Sequence, residues 1–330
     1  MKILWETPLT DQPAALAATS IGGRIAVAGL DGTLRLHDAN DGKTTAQLTA
    51  DIDTLTDVAL SADGQFVAAA GARGYLVWNQ DTGSPQTHTA GWCNRVVYAD
   101  DGRLAVAAGR RLVVHAPDGS VSWLPTPGKN TITDVAWLAK QRQVAASTYG
   151  GVDVYARHSK QPVHGYRYGG SHLAVAAAPT GRWVCTGNQD ATVHVWKTQG
   201  KTELHMPGYP KKVTQLAFDP TGRWLANNGS RDLTVWDFAG DSPAGSKPRL
   251  LTAHDGIEHF AWRNCTTGIV ATVGTEGTLA IWSVANMLQG MPGKPLATLE
   301  LGDALRVQWL GLNHLAIARH NSLVLVELAT

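Results

Sequence analysis

Short apolar runs recur along the chain, and turn residues separate them. Three of these runs follow one another closely: VTQLAF (213–218), RWLANN (223–228) and LTVW (233–236). Each is rich in aliphatic and aromatic residues over a few positions, which is typical of β-strands. No long stretch keeps the three-and-four spacing of an amphipathic helix. The pattern therefore predicts an all-β fold.

The strand-like runs repeat with a constant phase along the whole chain. Each copy ends on a landmark residue, and successive landmarks lie 37 to 46 residues apart. The eight landmarks are His37, Trp78, His115, Tyr155, Trp196, Trp236, Trp282 and Val326. A tight turn precedes each landmark by 13 to 15 residues. These turns are at Gly23, Gly64, Gly102, Gly181, Gly222 and Gly268, with degenerate copies at Gln141 and Asn313. Two phased landmarks predict a single repeat domain over residues 1–330.

Two of the copies resemble the WD40 repeat, which reads roughly as a Gly-His, a strand, a Pro-Asp-Gly turn, two strands and a Trp-Asp. They are FDPTGRWLANNGSRDLTVWD (218–237) and TGRWVCTGNQDATVHVW (180–196). The resemblance implies a closed β-propeller of four-stranded blades, and the spacing matches the roughly 40 to 45 residues of one such blade. Only Trp236 and Asp237 form a literal Trp-Asp. We expect eight blades, with seven, the commoner number in the family, as the alternative.

The resemblance also implies a buried hydrogen-bond network within a blade, formed by a His, a Ser or Thr, an Asp and a Trp. The seventh copy matches it with His254, Thr272, Glu276 and Trp282, where Glu replaces Asp. The fifth copy supplies Thr186, Asp190 and Trp196 without a matching His, and the first keeps Asp31 beside His37. Such networks satisfy buried polar groups and stiffen turns, so we expect a structural role for these residues.

The last copy contains three strands, and the ring needs a fourth. Residues 1–8 precede the first copy and include the strand-like run KILWETP. We expect this segment to pair outside residues 323–328 as the outer strand of the last blade. Closure in this way removes an exposed sheet edge.

Composition and charge narrow the range of partners and compartments. Lys and Arg total 28 against 27 Asp and Glu, which argues against broad capture of nucleic acid or anionic lipid. The cysteines, Cys93, Cys185 and Cys265, are too few and scattered for a disulfide framework. The first residues lack the apolar run of a signal peptide, and no segment approaches a membrane span. These features predict a cytoplasmic protein that is monomeric by itself and part of a complex.

Motifs of catalysis and metal binding are absent from the sequence. There is no Gly-rich phosphate loop, no His-Glu-x-x-His and no Gly-x-Ser-x-Gly. The 12 histidines fall mostly at repeat positions, and His254, His259 and Cys265 are placed at different heights of a blade. We therefore expect no enzyme activity, no cofactor and no metal.

Most of the 12 tryptophans lie at repeat positions, but Trp92 precedes the first strand of its copy. In the WD40 family that position belongs to the narrow top face. The same phase in the other copies predicts a partner-binding face, rich in the residue types of interface hot spots. Its members are Arg73, Trp92, Asn94, Arg110, Tyr149, Gln189, Lys212, Arg231, Glu258 and His320. The cations favour an acidic peptide.

Three functions remain open, and the fold by itself does not choose among them. We expect first a non-catalytic scaffold that binds a protein or peptide on the top face. The alternatives are a propeller enzyme or sensor with a site in the central channel, and a metal-homeostasis accessory protein that uses surface histidines. Two long Gly- and Pro-rich insertions, 239–248 and 284–295, are expected to form flexible loops on the bottom face.

Overall fold

The computed structural model describes residues 1–19, 21, 23–138, 142–264 and 266–328. Across these ranges nearly all regular structure is β, which confirms the all-β prediction. The described residues contain one short helical segment, the three-residue 3-10 turn Val284–Asn286. None of their helices is long and apolar enough to cross a membrane. The degenerate turn residue Gln141 and the third cysteine, Cys265, lie outside the described residues.

The strands fall into sheets that follow one another along the chain. The first strand is β1 (Lys2–Pro8). The first sheet contains β2 (Pro13–Thr19), β3 (Arg24–Gly29), β4 (Thr33–Asp38) and β5 (Thr44–Thr49). The second contains β6 (Leu55–Leu60), β7 (Phe66–Gly71), β8 (Gly74–Asn79) and β9 (Pro85–Thr89). The third contains β10 (Cys93–Tyr98), β11 (Leu104–Ala108), β12 (Arg111–His115) and β13 (Val121–Trp123). Each is an antiparallel meander in chain order.

The fourth sheet is the longest and has six strands in the order β14 to β19. They are β14 (Asp134–Trp137), β15 (Gln143–Ala156), β16 (His164–Ala177), β17 (Trp183–Asn188), β18 (Val193–Lys197) and β19 (Glu203–Met206). Strands β15 and β16 are each 14 residues long, about twice the length of the other strands. The first part of β15 pairs with β14 and its second part with β16, whose own second part pairs with β17.

The remaining strands complete three further sheets. The fifth contains β20 (Leu216–Phe218), β21 (Trp224–Asn227), β22 (Leu233–Asp237), β23 (Arg249–Leu251) and, out of chain order, β27 (Pro292–Gly293). The sixth contains β24 (Ile257–Trp262), β25 (Ile269–Gly274), β26 (Thr278–Ser283) and β28 (Ala297–Glu300). The seventh contains β29 (Ala304–Leu310), β30 (His314–Arg319), β31 (Ser322–Glu327) and β1.

The prediction of eight four-stranded blades is wrong. Counted as hydrogen-bonded sheets, the described residues form seven blades, as in the seven-bladed alternative. The physical reason lies in β15 and β16, through which the fourth and fifth sequence copies share one continuous sheet. Gly150 and Gly151 have φ of +89° and +140° and lie between the two paired parts of β15. Residues with a side chain rarely adopt this backbone conformation.

The N-terminal strand forms the outer edge of the last blade. Strand β1 pairs antiparallel with β31, from Lys2 opposite Glu327 to Pro8 opposite Ser322. The indole of Trp5 also donates to the carbonyl of Ala39 in the first sheet at 2.8 Å. The two ends of the chain are thereby joined across the closure of the ring.

The hydrophobic core lies between neighbouring blades. One cluster joins Leu34 and Leu36 of the first sheet to Leu55, Val67 and Leu76 of the second, all essentially buried. Similar clusters follow around the ring, so each blade buries its two faces against its two neighbours. The inner strands β2, β6, β10, β14, β16, β20, β24 and β29 surround a central channel of about 970 Å³.

The second long insertion is more ordered than the sequence predicts. Strand β27 pairs in parallel with β23, and the amide of Gly290 donates to the carbonyl of Pro248 at 2.8 Å. The guanidinium of Arg249 donates to the carbonyl of Met287 at 3.0 Å. This segment therefore covers the outer edge of the fifth sheet, an edge that would otherwise offer unpaired backbone groups.

Candidate functional site

Two sets of chain segments meet on one face of the ring, which we call the top face. The segments of one set lead into the inner strands, and those of the other set form the turns between the second and third strands of each copy. Backbone hydrogen bonds join them, as from Gly109 to Trp92 at 2.9 Å and from Gln189 to Ser171 at 3.0 Å. The turn residues are thus held beside the start of the inner strand, and side chains far apart in sequence share this face.

The structure places the ten predicted partner-binding residues on segments of the top face. Eight of them are exposed: Arg73, Trp92, Arg110, Tyr149, Gln189, Lys212, Arg231 and His320. Asn94 and Glu258 are half-buried. The ten are distributed around the ring. Among them, Trp92 and Asn94 are joined by a side-chain hydrogen bond.

Trp92 is an exposed tryptophan with a fixed orientation. Its side chain is 53% exposed, and its indole Nε1 donates to Oδ1 of Asn94 at 2.8 Å. The Nδ2 of Asn94 in turn donates to the carbonyl of Ile132 at 2.7 Å. Because Ile132 is buried, the chain of hydrogen bonds anchors the exposed ring to the core. A rigid, exposed aromatic side chain loses little conformational entropy when a partner covers it.

Several cations of the top face are already neutralised. The guanidinium of Arg73 lies 3.4 Å from the carboxylate of Asp53, and Glu258 lies 3.2 Å from Arg306. His320 lies 3.7 Å from Asp303. These exposed pairs contribute little to stability, but they remove net charge locally. Arg231 instead donates its Nε to the carbonyl of His254 at 2.9 Å.

Three charged side chains line one side of the central channel, and the sequence analysis did not single them out. Arg95 lies 3.4 Å from Asp57 on one side and 3.4 Å from Asp134 on the other. Asp57 accepts the amide of Val96, and Asp134 accepts the amide of Val175, both at 2.9 Å. Each carboxylate therefore joins its own inner strand to the next one. Burial raises the pKa of both carboxyl groups, although the Arg95 guanidinium opposes the rise.

The other side of the channel repeats this arrangement with different side chains. Gln215 exchanges hydrogen bonds with the backbone of Phe260, and Arg306 donates to the carbonyl of Ala14 at 3.0 Å. His259 lies next to the amide of Val307, at 3.4 Å. Burial, with the nearby arginines Arg306 and Arg95, lowers the pKa of His259 to about 3.

A β-bulge directs these channel side chains inward. The register shifts directly before Asp57, Arg95, His259 and Arg306 in their inner strands. A bulge reorients one side chain relative to its strand, so the same residue phase meets the channel in successive copies. A sequence signal existed: each of these polar residues directly precedes a buried apolar residue at the same repeat phase.

The seventh copy contains a continuous buried network. The indole of Trp282 donates to the hydroxyl of Thr272 at 2.8 Å, and that hydroxyl lies 2.7 Å from Nε2 of His254. The Nδ1 of His254 lies 2.6 Å from the carboxylate of Glu276. Burial alone would raise the pKa of Glu276, but hydrogen bonds from His254 and the amide of Asp255 hold it below its usual range. The network ties the turn at Glu276 to the core.

The fifth copy builds a comparable network from a histidine that the sequence analysis missed. Nδ1 of His172 lies 2.9 Å from the hydroxyl of Thr186, and the His172 ring lies against Trp196. Asp190 accepts hydrogen bonds from Tyr168 and Thr192. His172 lies 14 residues before Thr186, whereas His254 lies 18 residues before Thr272, so the family spacing did not reveal it.

The first copy does not join its two predicted residues. Asp31 accepts the amide of Thr33 at 2.8 Å and pairs with Arg35 at 3.4 Å. His37 is fully buried, and its Nδ1 bonds the carbonyl of Gly42 at 3.1 Å. The two side chains therefore serve separate turns.

The histidines and cysteines of the described residues do not form a metal centre. No group of three or more His, Cys, Asp or Glu side chains there is arranged to hold a metal ion. His194 instead pairs with Glu203 at 2.6 Å. Cys93 and Cys185 are buried thiols, and burial raises the pKa of Cys93 to about 12.

Two stretches of the chain match the model of a known protein family. The model of the WD domain, G-beta repeat, matches residues 163–197 and 200–237. The chain is 25% identical over 188 residues to the nuclear distribution protein PAC1 of Arthroderma otae, which covers 54% of this chain and 37% of that protein. It is 27% identical over 121 residues to a ribosome biogenesis protein WDR12 homolog of Anopheles gambiae, covering 35% of this chain and 28% of that protein.

These matched regions span less than half the length of the two relatives. Among solved structures, the crystal structure of the computationally designed Ika8 protein has a similar fold, with a TM-score of 0.76 at 17% identity. The similarity covers 97% of this chain and 98% of the designed chain. The resemblance seen in the sequence is confirmed: the chain contains WD40 repeats and is similar to the WD40-repeat β-propellers.

Proposed function

We propose that this protein is a non-catalytic interaction scaffold that binds a partner protein or peptide on its top face. The observation that carries the proposal is Trp92, an exposed aromatic side chain held by Asn94 on a rigid inner-strand start. Tryptophan, tyrosine and arginine are the residue types that contribute most to protein interfaces. The proposed site comprises the ten residues named above, with an acidic segment as the partner.

The central channel supports this choice over a channel enzyme. Its polar side chains are used to join neighbouring inner strands, as Asp57 does with Val96 and Asp134 with Val175. Acid–base catalysis needs groups that are free to exchange protons with a substrate. The names of the relatives, a nuclear distribution protein and a ribosome biogenesis protein, agree with work in assemblies. We place the protein in the cytoplasm because the two described cysteines are unpaired thiols.

Affinity capture with a matched pair of variants tests the proposal. Tagged wild type and Trp92→Ala are exposed to an extract of the native host, and bound proteins are identified by mass spectrometry. We expect a set of proteins retained by wild type to be lost from the variant. Leu288→Ala is the control, because Leu288 is 73% exposed in an insertion away from the top face. Equal retention by all three proteins would remove the top face as the binding site.

A further inference from the structure

We propose that one sector of the top face binds the acidic segment, and that the rest of the face does not; this inference rests on the proposed function. The basic sector, as we call it, comprises Trp92, Arg110, Arg111, Lys129 and Tyr149. Arg111 and Lys129 are additions to the ten residues predicted from the sequence. The proposed binding surface is thus one continuous part of a face that extends around the whole ring.

The segments of the basic sector are joined to one another by hydrogen bonds. The bonds run from Gly109 N to Trp92 O (2.9 Å), Gly128 N to Arg110 O (2.8 Å), Ile132 N to Gly109 O (2.8 Å) and Asn130 Nδ2 to Tyr149 O (3.0 Å). The segment 128–133 thus lies between the turn at Arg110 and the turn at Tyr149. The sector is one connected surface, pre-organised before any partner arrives.

The charge of this sector is uncompensated. Its top-face segments are 89–92, 109–111, 128–133 and 149–151, and they contain no Asp or Glu. Arg110, Arg111 and Lys129 are exposed, and none of them has an ion pair among the described residues. Elsewhere on the face Arg73 pairs with Asp53, and Arg319 pairs with Asp303. Anionic groups of a partner are therefore attracted to this sector without displacing an acidic side chain already there.

Exposed apolar surface lies among these cations. Trp92 is 53% exposed and Tyr149 is 63% exposed. Proline or aliphatic side chains of a peptide can pack on the two aromatic faces while its carboxylates meet the cations. The fitting occupant is an extended peptide in which acidic and apolar residues alternate.

The cations are too few for a nucleic acid to be the favoured occupant. A phosphate backbone is bound through a series of neutralised charges, and this sector offers three cations on a chain of net charge +1. On other parts of the same face Arg73 and Arg319 already pair with Asp53 and Asp303, so a strand that continued past the sector would gain little from them. A short acidic peptide fits within the sector.

A matched pair of double charge reversals tests the inference. The probe is a fluorescently labelled synthetic peptide in which glutamates alternate with leucine and proline, measured by anisotropy at low salt. Arg110→Glu with Arg111→Glu removes two cations of the sector. Lys201→Glu with Lys211→Glu makes the same change in net charge at two exposed lysines outside the sector. Trp92→Ala and Lys129→Glu are measured in parallel, with circular dichroism to check folding.

We expect the sector variants to weaken peptide binding by about tenfold or more, and the Lys201 and Lys211 variant to change it by less than about twofold. Equal weakening by both double variants would overturn the sector, as would an unlabelled oligouridine that competes better than the peptide. Absence of peptide binding would overturn the acidic occupant. In each of these cases the dependence of captured proteins on Trp92 still reports separately on the proposed function.

Discussion

The indole of Trp282 donates a hydrogen bond to the hydroxyl of Thr272 at 2.8 Å, and both side chains are fully buried. The same hydroxyl faces Nε2 of His254 at 2.7 Å, so one oxygen atom connects two other members of the network. Removal of that oxygen leaves two buried polar groups without a partner. Buried, unsatisfied groups of this kind are costly.

We therefore expect Thr272→Val to lower the free energy of unfolding by about 2–4 kcal/mol, although it preserves the shape of the side chain. The measurement is urea unfolding followed by circular dichroism and tryptophan fluorescence. Thr45→Val is the control, because Thr45 is exposed on β5 and its hydroxyl bonds a single carbonyl. Equal effects of the two variants would contradict a special role for the network.

His259, the histidine that lines the channel, predicts a dependence of stability on pH. The pKa of His259 is lowered to about 3 in the folded protein, below its ordinary value of 6.5. As pH falls below 6.5, the unfolded chain binds a proton that the folded protein refuses, so stability is lost progressively toward pH 3. His259→Asn removes this titration, and its stability relative to wild type should improve as pH falls from 7.5 to 4.5.

The comparison uses thermal midpoints of the two proteins at several pH values. Asp57 and Asp134 are present in both, so their own titration largely cancels in the difference. His158→Asn is the control, since His158 is exposed and has a positive φ of 61°, which asparagine tolerates. A constant difference between wild type and His259→Asn over the whole range would contradict the assignment.

The pairing of β1 with β31 predicts that removal of β1 destabilises the protein. Deletion of residues 2–8 removes every backbone pair between β1 and β31 and the ion pair of Glu6 with Arg319 at 2.8 Å. We expect a loss of about 3 kcal/mol or more, together with association between molecules through the exposed edge of β31. Thermal unfolding and light scattering measure the two effects, and a peptide of residues 1–10 should restore part of the stability. An unchanged midpoint would show that the ring closes without β1.

The packing of the second long insertion predicts that substitutions at two adjacent residues have different effects on its order. Met287 is half-buried against the cluster that contains Trp224, whereas Leu288 is 73% exposed. Met287→Asp should detach the segment and release β27 from β23, because a carboxylate is poorly solvated in that cluster. Hydrogen exchange should then become faster in residues 287–296 and at Leu250 and Leu251. Leu288→Asp should leave exchange unchanged, and equal acceleration in both variants would contradict the packing of Met287.

The sequence alone determined the repeat and its phase. Trp282, Thr272, Glu276 and His254 could be assigned to one network because the resemblance to the WD40 repeat carries the family's network onto equivalent positions of this chain. Trp92 was identified as an exception because it lies outside the phase that core packing explains. Local residue type and spacing suffice for such inferences, because each copy contacts only itself and its immediate neighbours along the chain.

Only the tertiary structure decided the features that depend on hydrogen bonds between distant segments. The fourth and fifth copies share one sheet because the second part of β15 pairs with the first part of β16, and β27 reaches back to β23 from the following copy. The charged channel residues Asp57, Arg95 and Asp134 join three inner strands, and the basic sector joins segments from residue 92 to residue 149. A repeat pattern fixes which residues are equivalent, but the pairing partners of its irregular parts are chosen by packing in three dimensions.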